Sequence, residues 1–189
     1  YAASLYSDMY DHHEFIRMIS NAGFSGLLWS PEIRETKSEA DLIRRAQTGV
    51  MSAQLLFNSW YLSNPPWLQF DMDKNNRDEF LPDAKELESK IRKLLELRMS
   101  LIPYLYSAFA SYHYQGIPPF RALVVDYPDD ESTYKIDDEY LIGENLLAAP
   151  FIDGASKRTV YFPAGAWYDF NTDKKYEGEK SYEIEMSLD

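Results

Sequence analysis

Three short stretches of the chain place groups that could handle a sugar just beyond an apolar run. Asp8 stands in LYSDMYDHHE, after residues 2–6, which read as a strand. Trp29 and Glu32 stand in GFSGLLWSPEIRE, where the apolar run stops at Ser30–Pro31 and Arg34 follows. Asn58 and Trp60 close the run SAQLLFNSW. A carboxyl group moves a proton, an amide both donates to and accepts from a hydroxyl, and an indole face covers the C–H face of a pyranose. Gathered around one cleft, these groups would supply what a sugar site needs: an acid–base, a stacking face and a partner for hydroxyls.

Each residue also has a plainer reading. Asp8 can be a loop or capping residue. Glu32 and Arg34 can form a surface ion pair, and Asn58 can close an Asx turn. Trp60 and Trp67 can simply cover a barrel mouth. Asp11 reads as a helix cap rather than a catalyst. His12 and His13 are adjacent rather than four apart, which makes a poor metal pair, and the first helical turn places them at the surface. The acidic stretch 71–79, DMDKNNRDE, lacks the glycine at the sixth position and the glutamate at the twelfth that a calcium loop requires. No glycine pattern cradles a phosphate and no serine sits in a nucleophile elbow. No metal or cofactor is implied.

The elements around these residues alternate. DHHEFIRMISNAG reads as a helix capped by Asp11, with Glu14 in capping-box position and Gly23 as its stop. The continuous apolar run FSGLLWS reads as a strand buried on both faces. SEADLIRRAQTG reads as a second helix, capped by Ser38. SAQLLFNSW is another buried strand, and a long loop covers 59–82. Helical spacing of Leu87, Ile91, Leu94, Leu95, Ile102, Leu105 and Phe109 predicts a long helix over 83–114, kinked at Pro103. Continuous apolar strands alternating with amphipathic helices mean parallel βα units. In such units ligands sit on the loops after the strands, which is where Asp8, Trp29, Glu32, Asn58 and Trp60 fall. Past Gly116–Pro119 come short runs, FRALVVDYP, YLIGENLLAAPF, RTVYFPAGAWYDF and KSYEIEM, separated by turn residues. They predict an antiparallel all-β region, with a boundary near 117–121.

Composition narrows the partners. The 189 residues carry a net charge of -12, which repels phosphate backbones and anionic lipid surfaces, so neither nucleic acid nor membrane is expected. No apolar run approaches the roughly 20 residues of a membrane span. Cysteine is absent, which excludes thiol catalysis and thiolate metal sites. Aromatic residues make up 15% of the chain, with 15 Tyr and 4 Trp, a composition shared with many sugar-binding proteins.

Four spaced motifs then identify a resemblance. The helix RMSLIPYLY (Arg98 to Tyr106), GIPPFRAL (Gly116 to Leu123), GENLLAAP (Gly143 to Pro150) and RTVYFPAGAWYD (Arg158 to Asp169) closely resemble glycoside hydrolase family 31, the α-glucosidase and α-xylosidase family. The match is strong over 85–189 and looser over 1–84. The resemblance implies that 1–116 is the C-terminal part of a (β/α)8 catalytic barrel, and that 117–189 starts the β-sandwich domain that follows it. The fold class is thus α/β, a partial TIM barrel followed by an antiparallel β-sandwich segment. Members are retaining enzymes with two carboxylates. Their nucleophile lies in a Trp-x-Asp-Met-Asn-Glu-like motif after the fourth strand. The motif is absent from this chain and is expected upstream of Tyr1. The acid/base follows the sixth strand, where Asp8 is the candidate.

Two positions depart from the family pattern. Where Trp-x-x-Asp-Ile-Gly-Gly-Phe is usual, WSPEIRE puts Glu32 at the Asp position and Arg34 at a Gly position. Where Arg-x-His is usual, LLFNSW puts Asn58 at the His position. These positions bind the sugar being cleaved, so specificity for another α-glycoside, such as an α-galactoside or α-xyloside, is credible. The sequence therefore reads as a fragment of a retaining α-glycosidase that lacks its nucleophile and is inactive alone. Its expected partners are an α-linked carbohydrate substrate and either the rest of its parent chain or further copies of itself. The alternative is a non-catalytic carbohydrate-binding or structural protein on a glycosidase scaffold. A carboxylate glycosidase of another barrel family is a third reading, which the motif series over 98–169 disfavours.

Overall fold

The computed structural model describes residues 4–7, 11–34, 36–152, 154–186 and 188. In chain order these form β1 (Ser4–Ser7), α1 (His12–Ala22), β2 (Leu28–Ile33), α2 (Glu39–Val50), β3 (Leu56–Phe57), α3 (Met72–Asn75) and α4 (Ala84–Gln115). Short strands follow: β4 (Phe120–Ala122), β5 (Tyr140–Ile142), β6 (Leu146–Ala148), β7 (Lys157–Phe162), β8 (Ala166–Tyr168), β9 (Lys175–Glu177) and β10 (Lys180–Glu185). The first three strands form a parallel sheet in the order β1-β2-β3. The later strands pair only antiparallel, as β4-β5-β6, β7-β10 and β8-β9. Parallel βα units thus give way to antiparallel strands, as the sequence predicts.

Both early helices begin at their expected caps. The Asp11 carboxylate accepts from the Glu14 amide at 2.8 Å, and the Ser38 hydroxyl accepts from the Asp41 amide at 3.1 Å. The capping box at Asp11 is only half made. The Glu14 carboxylate turns instead to Arg17, at 2.6 Å. Gly23 does not stop α1 in a left-handed conformation. A 3-10 turn over Gly23–Ser25 follows, and Gly26, at φ +67°, makes the reversal. β2 therefore starts at Leu28, later than the apolar run suggests, and continues through Pro31 and Glu32. Proline is tolerated there because the neighbours change at that point. β1 pairs with β2 as far as Pro31, and β3 pairs with it from Glu32 onward. The next predicted strand shrinks to Leu56–Phe57, and β9 has no counterpart among the predicted runs.

Two apolar clusters meet on α4. Its first half places Leu87 and Ile91 against Leu42, Ile43 and Ala46 of α2 and Ile33 of β2. Its second half places Leu101 and Leu105 against Phe15, Ile16 and Ile19 of α1 and against Phe120, Tyr140 and Ile142 of the antiparallel region. Each fully buried Leu, Ile or Phe contributes about 2 kcal/mol. α4 continues through Pro103 to Gln115.

Polar anchors fix the same helix to both regions. Arg98 donates to the carbonyls of Val50, Ser52 and Ala53 at 2.8, 2.6 and 2.8 Å, which holds the turn from α2 into β3. The Tyr140 hydroxyl donates to the Met51 carbonyl at 2.9 Å in the same turn. The Tyr104 hydroxyl donates to the Ile142 carbonyl at 2.7 Å and accepts from the Asn145 amide at 2.9 Å, pinning the β5–β6 hairpin. Gly143 in that hairpin has φ +57°, and a Cβ there would lie 2.6 Å from the Tyr104 hydroxyl oxygen.

His12 corrects the expectation of a surface residue, because it is only 2% exposed. The Thr48 hydroxyl donates to the Arg44 carbonyl at 3.0 Å, so it accepts from His12 Nε2, which lies 2.7 Å away. Burial, reinforced by the Arg45 guanidinium, pushes the His12 pKa down to about 4. Burial acts oppositely on Glu139, whose carboxyl is pushed up to about 7 despite the Tyr161 amide donating to it at 3.0 Å.

Two measurements check this account. Gly143→Ala meets both a left-handed backbone and the Tyr104 hydroxyl, so thermal denaturation should show a loss of about 2 kcal/mol or more. For His12, the unfolded chain binds its proton below about pH 6.5 while the folded chain resists until about pH 4. Acidification across that window should remove up to about 3 kcal/mol of stability through this group. Glu139 contributes the opposite slope over part of the window. Urea titrations of wild type and His12→Asn should therefore be compared as a difference, which should flatten toward pH 4.

Candidate functional site

Of the candidate groups, Asn58 and Trp60 lie in the loop after β3, and the backbone brings the ends of β2 and β3 together. The Asn58 amide donates to the Ile33 carbonyl at 2.9 Å, extending the β2–β3 ladder by one step. The residues that follow Ile33 and Phe57 therefore leave the sheet side by side. Arg34, the first residue past β2, sets its guanidinium 4.3 Å over the ring of Tyr61 from the loop after β3. That contact ties the two loops.

Glu32 lies within β2 rather than beyond it, and its backbone pairs with Leu56. It is buried, at 5% exposure. Neighbouring strand residues project to opposite faces, and Ile33 packs beneath α2 and α4. The Glu32 carboxyl accordingly lies on the sheet face away from those helices. Trp29 is also inside β2, and its side chain lies outside the described residues. Asp8 lies outside them entirely.

Asn58 adopts the Asx turn. Its side-chain oxygen accepts from the Trp60 amide at 2.8 Å. The turn throws the chain outward and leaves Trp60 85% exposed. A stacking face is thus presented to solvent. The amide nitrogen of Asn58 is the part of that side chain still able to meet a hydroxyl.

The long loop behind Trp60 is built on two asparagines. Buried Asn75 accepts from the Asn64 amide at 2.8 Å and donates to the Asn64 and Gln69 carbonyls at 3.0 and 2.6 Å. Asn76 accepts from the Ser63 amide at 2.8 Å and donates to the Tyr61 carbonyl at 2.9 Å. The acidic stretch 71–79 is therefore a scaffold, with Asp71 capping α3 through the Lys74 amide at 3.0 Å. Among the described residues no group of three or more His, Asp or Glu side chains could hold a metal. Trp67 packs edge-on against Phe57, 5.6 Å between centroids. These rings line a cavity of about 270 Å³ with Ser59, Leu62, Asn64 and Pro66.

Of the five predicted site residues, the structure brings Glu32, Asn58 and Trp60 to adjacent strand ends. Sequence reasoning missed Tyr61, which stacks on Arg34, and missed Asn75 and Asn76. The paired aromatics Trp60–Tyr61 and the doublet Asn75–Asn76 were the available signals.

The arrangement has known relatives. Residues 2–108 match the model of the glycosyl hydrolases family 31 TIM-barrel domain, and residues 116–189 match the family 31 C-terminal domain. Alpha-glucosidase 2 of Bacillus thermoamyloliquefaciens is 40% identical over 107 residues, which are 56% of this chain and 14% of that protein. Neutral alpha-glucosidase AB of Sus scrofa is 36% identical over 120 residues, 62% of this chain and 13% of that protein. The chain thus spans about one seventh of the length of these curated relatives. Among solved structures, a mutant family 31 dextranase of Flavobacterium johnsoniae complexed with isomaltotriose superposes with a TM-score of 0.71 at 31% identity, covering 92% of this chain and 22% of that one. A family 31 alpha-xylosidase from a soil metagenome, complexed with xylose, superposes with a TM-score of 0.71 at 26% identity, covering 89% and 27%. Matched by two successive domain models of one family, the chain belongs to glycoside hydrolase family 31.

Proposed function

We propose that these residues are one side of the catalytic cleft, and the adjoining β-domain, of a retaining α-glycosidase. The observation that carries the reading is the ordered pair of family 31 domain matches, with Glu32, Asn58 and Trp60 at or near the ends of two adjacent parallel strands. The parallel βα units then belong to a (β/α)8 barrel, with the boundary near 117–121. In this reading Asp8 is the general acid and base. It protonates the glycosidic oxygen while a carboxylate elsewhere in the polypeptide attacks the anomeric carbon, and it then activates the water that releases the sugar. Glu32 and Asn58 hold hydroxyls of the sugar being cleaved, and Trp29 and Trp60 form the stacking wall. A carboxylate at position 32 and an amide at position 58 favour an α-glycoside other than the common glucosides, an α-galactoside or α-xyloside.

Packing against further polypeptide is part of the same reading. Leu95, Met99, Ile102 and Tyr106 run exposed along one face of α4. Among the described residues, the outer edges of β1 and β3 have no partner strand.

One preparation tests both parts. The purified 189-residue chain should give no turnover of p-nitrophenyl α-glucoside, α-galactoside or α-xyloside, and light scattering should show species larger than a monomer. A longer polypeptide carrying this sequence should turn over at least one substrate, and Glu32→Gln should lower its kcat/KM roughly a hundredfold, the scale of a lost charged hydrogen bond in the transition state. Clear turnover by the short chain would contradict the division of the catalytic pair. A Glu32→Gln enzyme with unchanged kcat/KM would remove Glu32 from the sugar site.

A further inference from the structure

A second cavity lies well away from the strand-end loops. It has a volume of about 420 Å³ and sits between the second half of α1 and the segment after β4, lined by Arg17, Asn21, Phe24, Val124, Tyr134 and Lys135, among others. Phe24 belongs to the connection that enters β2, so the cavity is at the start of that strand, while Asn58 and Trp60 follow the end of its parallel neighbour β3. Its volume is in the range of small-molecule sites.

Two aromatic rings are exposed at this cavity, Phe24 at 61% and Tyr134 at 56%. The Tyr134 ring is held in place, because its hydroxyl donates to the Pro128 carbonyl at 2.7 Å. The polar groups are a mixed set. The Asn21 side-chain nitrogen donates to the Arg17 carbonyl at 2.8 Å and to the Ser20 hydroxyl at 3.0 Å, so the oxygen of this lining residue is the atom left to accept from a ligand. Lys135 has no ion-pair partner among the described residues and supplies a donor. Charge is close to balanced. Arg17 is met by Glu14 at 2.6 Å and by Asp137 at 3.0 Å, and His13 lies 3.3 Å from the same Asp137. A balanced site with two presented rings, one acceptor and one donor suits a neutral polyhydroxylated ligand better than an anion.

We propose that this cavity is a second carbohydrate-binding site, which grips a neutral hexose unit of an oligosaccharide by stacking on Phe24 and Tyr134 and by hydrogen bonds to Asn21 and Lys135. The ligand class follows from the lining and does not depend on the catalytic reading above. Such a site holds a long substrate without touching the bond that is cleaved.

The test is titration of the 189-residue chain, isotopically labelled, with isomaltotriose and separately with maltotriose, followed through backbone amide resonances. Saturable shifts should appear at Asn21, Phe24 and Tyr134. The double variant Phe24→Ala/Tyr134→Ala should bind roughly tenfold or more weakly, the scale of two lost ring contacts, while keeping a dispersed spectrum. Trp60→Ala should leave these shifts intact. Shifts confined to residues around Asn58 and Trp60 would overturn the second site while leaving the strand-end reading standing. A dispersed spectrum with no saturable shift from either sugar would also overturn it, as would undiminished binding by the folded double variant.

Discussion

One guanidinium carries much of the architecture. Between α2 and β3 the chain turns back with three carbonyl oxygens, those of Val50, Ser52 and Ala53, all accepting from Arg98 on α4. Left without that partner, the carbonyls would each lose a charge-assisted hydrogen bond worth about 2 kcal/mol. Burial lowers the affinity of Arg98 for its proton, but three carbonyls in one fork keep the cation satisfied. The position of β3 follows from this clamp, and the position of Asn58 follows from β3. Tyr140 adds a second hydrogen bond to the same turn from the antiparallel region, through Met51. The parallel strands, the long helix and the β-domain are thus joined at one place, and the strand-end loops hang from it.

The same logic explains why the β-domain motifs are so specific in sequence. Gly143 must be glycine because its backbone is left-handed and Tyr104 occupies the space of a side chain. Arg121 is buried and grips Asp126 through two nitrogens, at 2.7 and 2.5 Å. Arg158 reaches the Pro150 carbonyl at 2.5 Å and the Asp138 carboxylate at 2.7 Å. The arginines of three of the four motifs, Arg98, Arg121 and Arg158, thus each tie a turn through backbone carbonyls or a carboxylate. These are structural demands, which is why they mark the fold rather than the substrate.

Much of the frame was legible in the residues. Asp11 and Ser38 cap α1 and α2 where expected, and the periodicity of Leu87, Ile91, Leu94, Leu105 and Phe109 gives α4, although Leu95 and Ile102 of the same run face outward. β2 was misplaced because a strand read from an apolar run stops at Ser30–Pro31. The real strand passes through Pro31, where the ladder changes from one neighbour to the other, a property of the sheet and not of the segment. His12 was expected at the surface because nothing local announces that Thr48, 36 residues away, will cover it. At the site, Glu32, Asn58 and Trp60 come to adjacent strand ends, and the plainer Asx-turn reading of Asn58 holds. The aromatic pair Trp60–Tyr61 was visible, but the role of Tyr61 was not, since it comes from Arg34 in the loop after the adjacent strand.

The central claim is that Asp8 supplies the proton to the departing glycosidic oxygen, beside a sugar held by Glu32 and Asn58. It is tested most directly by kcat/KM of wild type and Asp8→Asn, in a polypeptide carrying this sequence and its remaining barrel, on two α-glycosides of the same sugar. One should have p-nitrophenol as leaving group and the other a sugar alcohol. A good leaving group departs without a proton and a poor one does not. The account predicts a loss of roughly a thousandfold or more with the alcohol and a much smaller loss with p-nitrophenol. Equal losses on both substrates, or none on either, would contradict it.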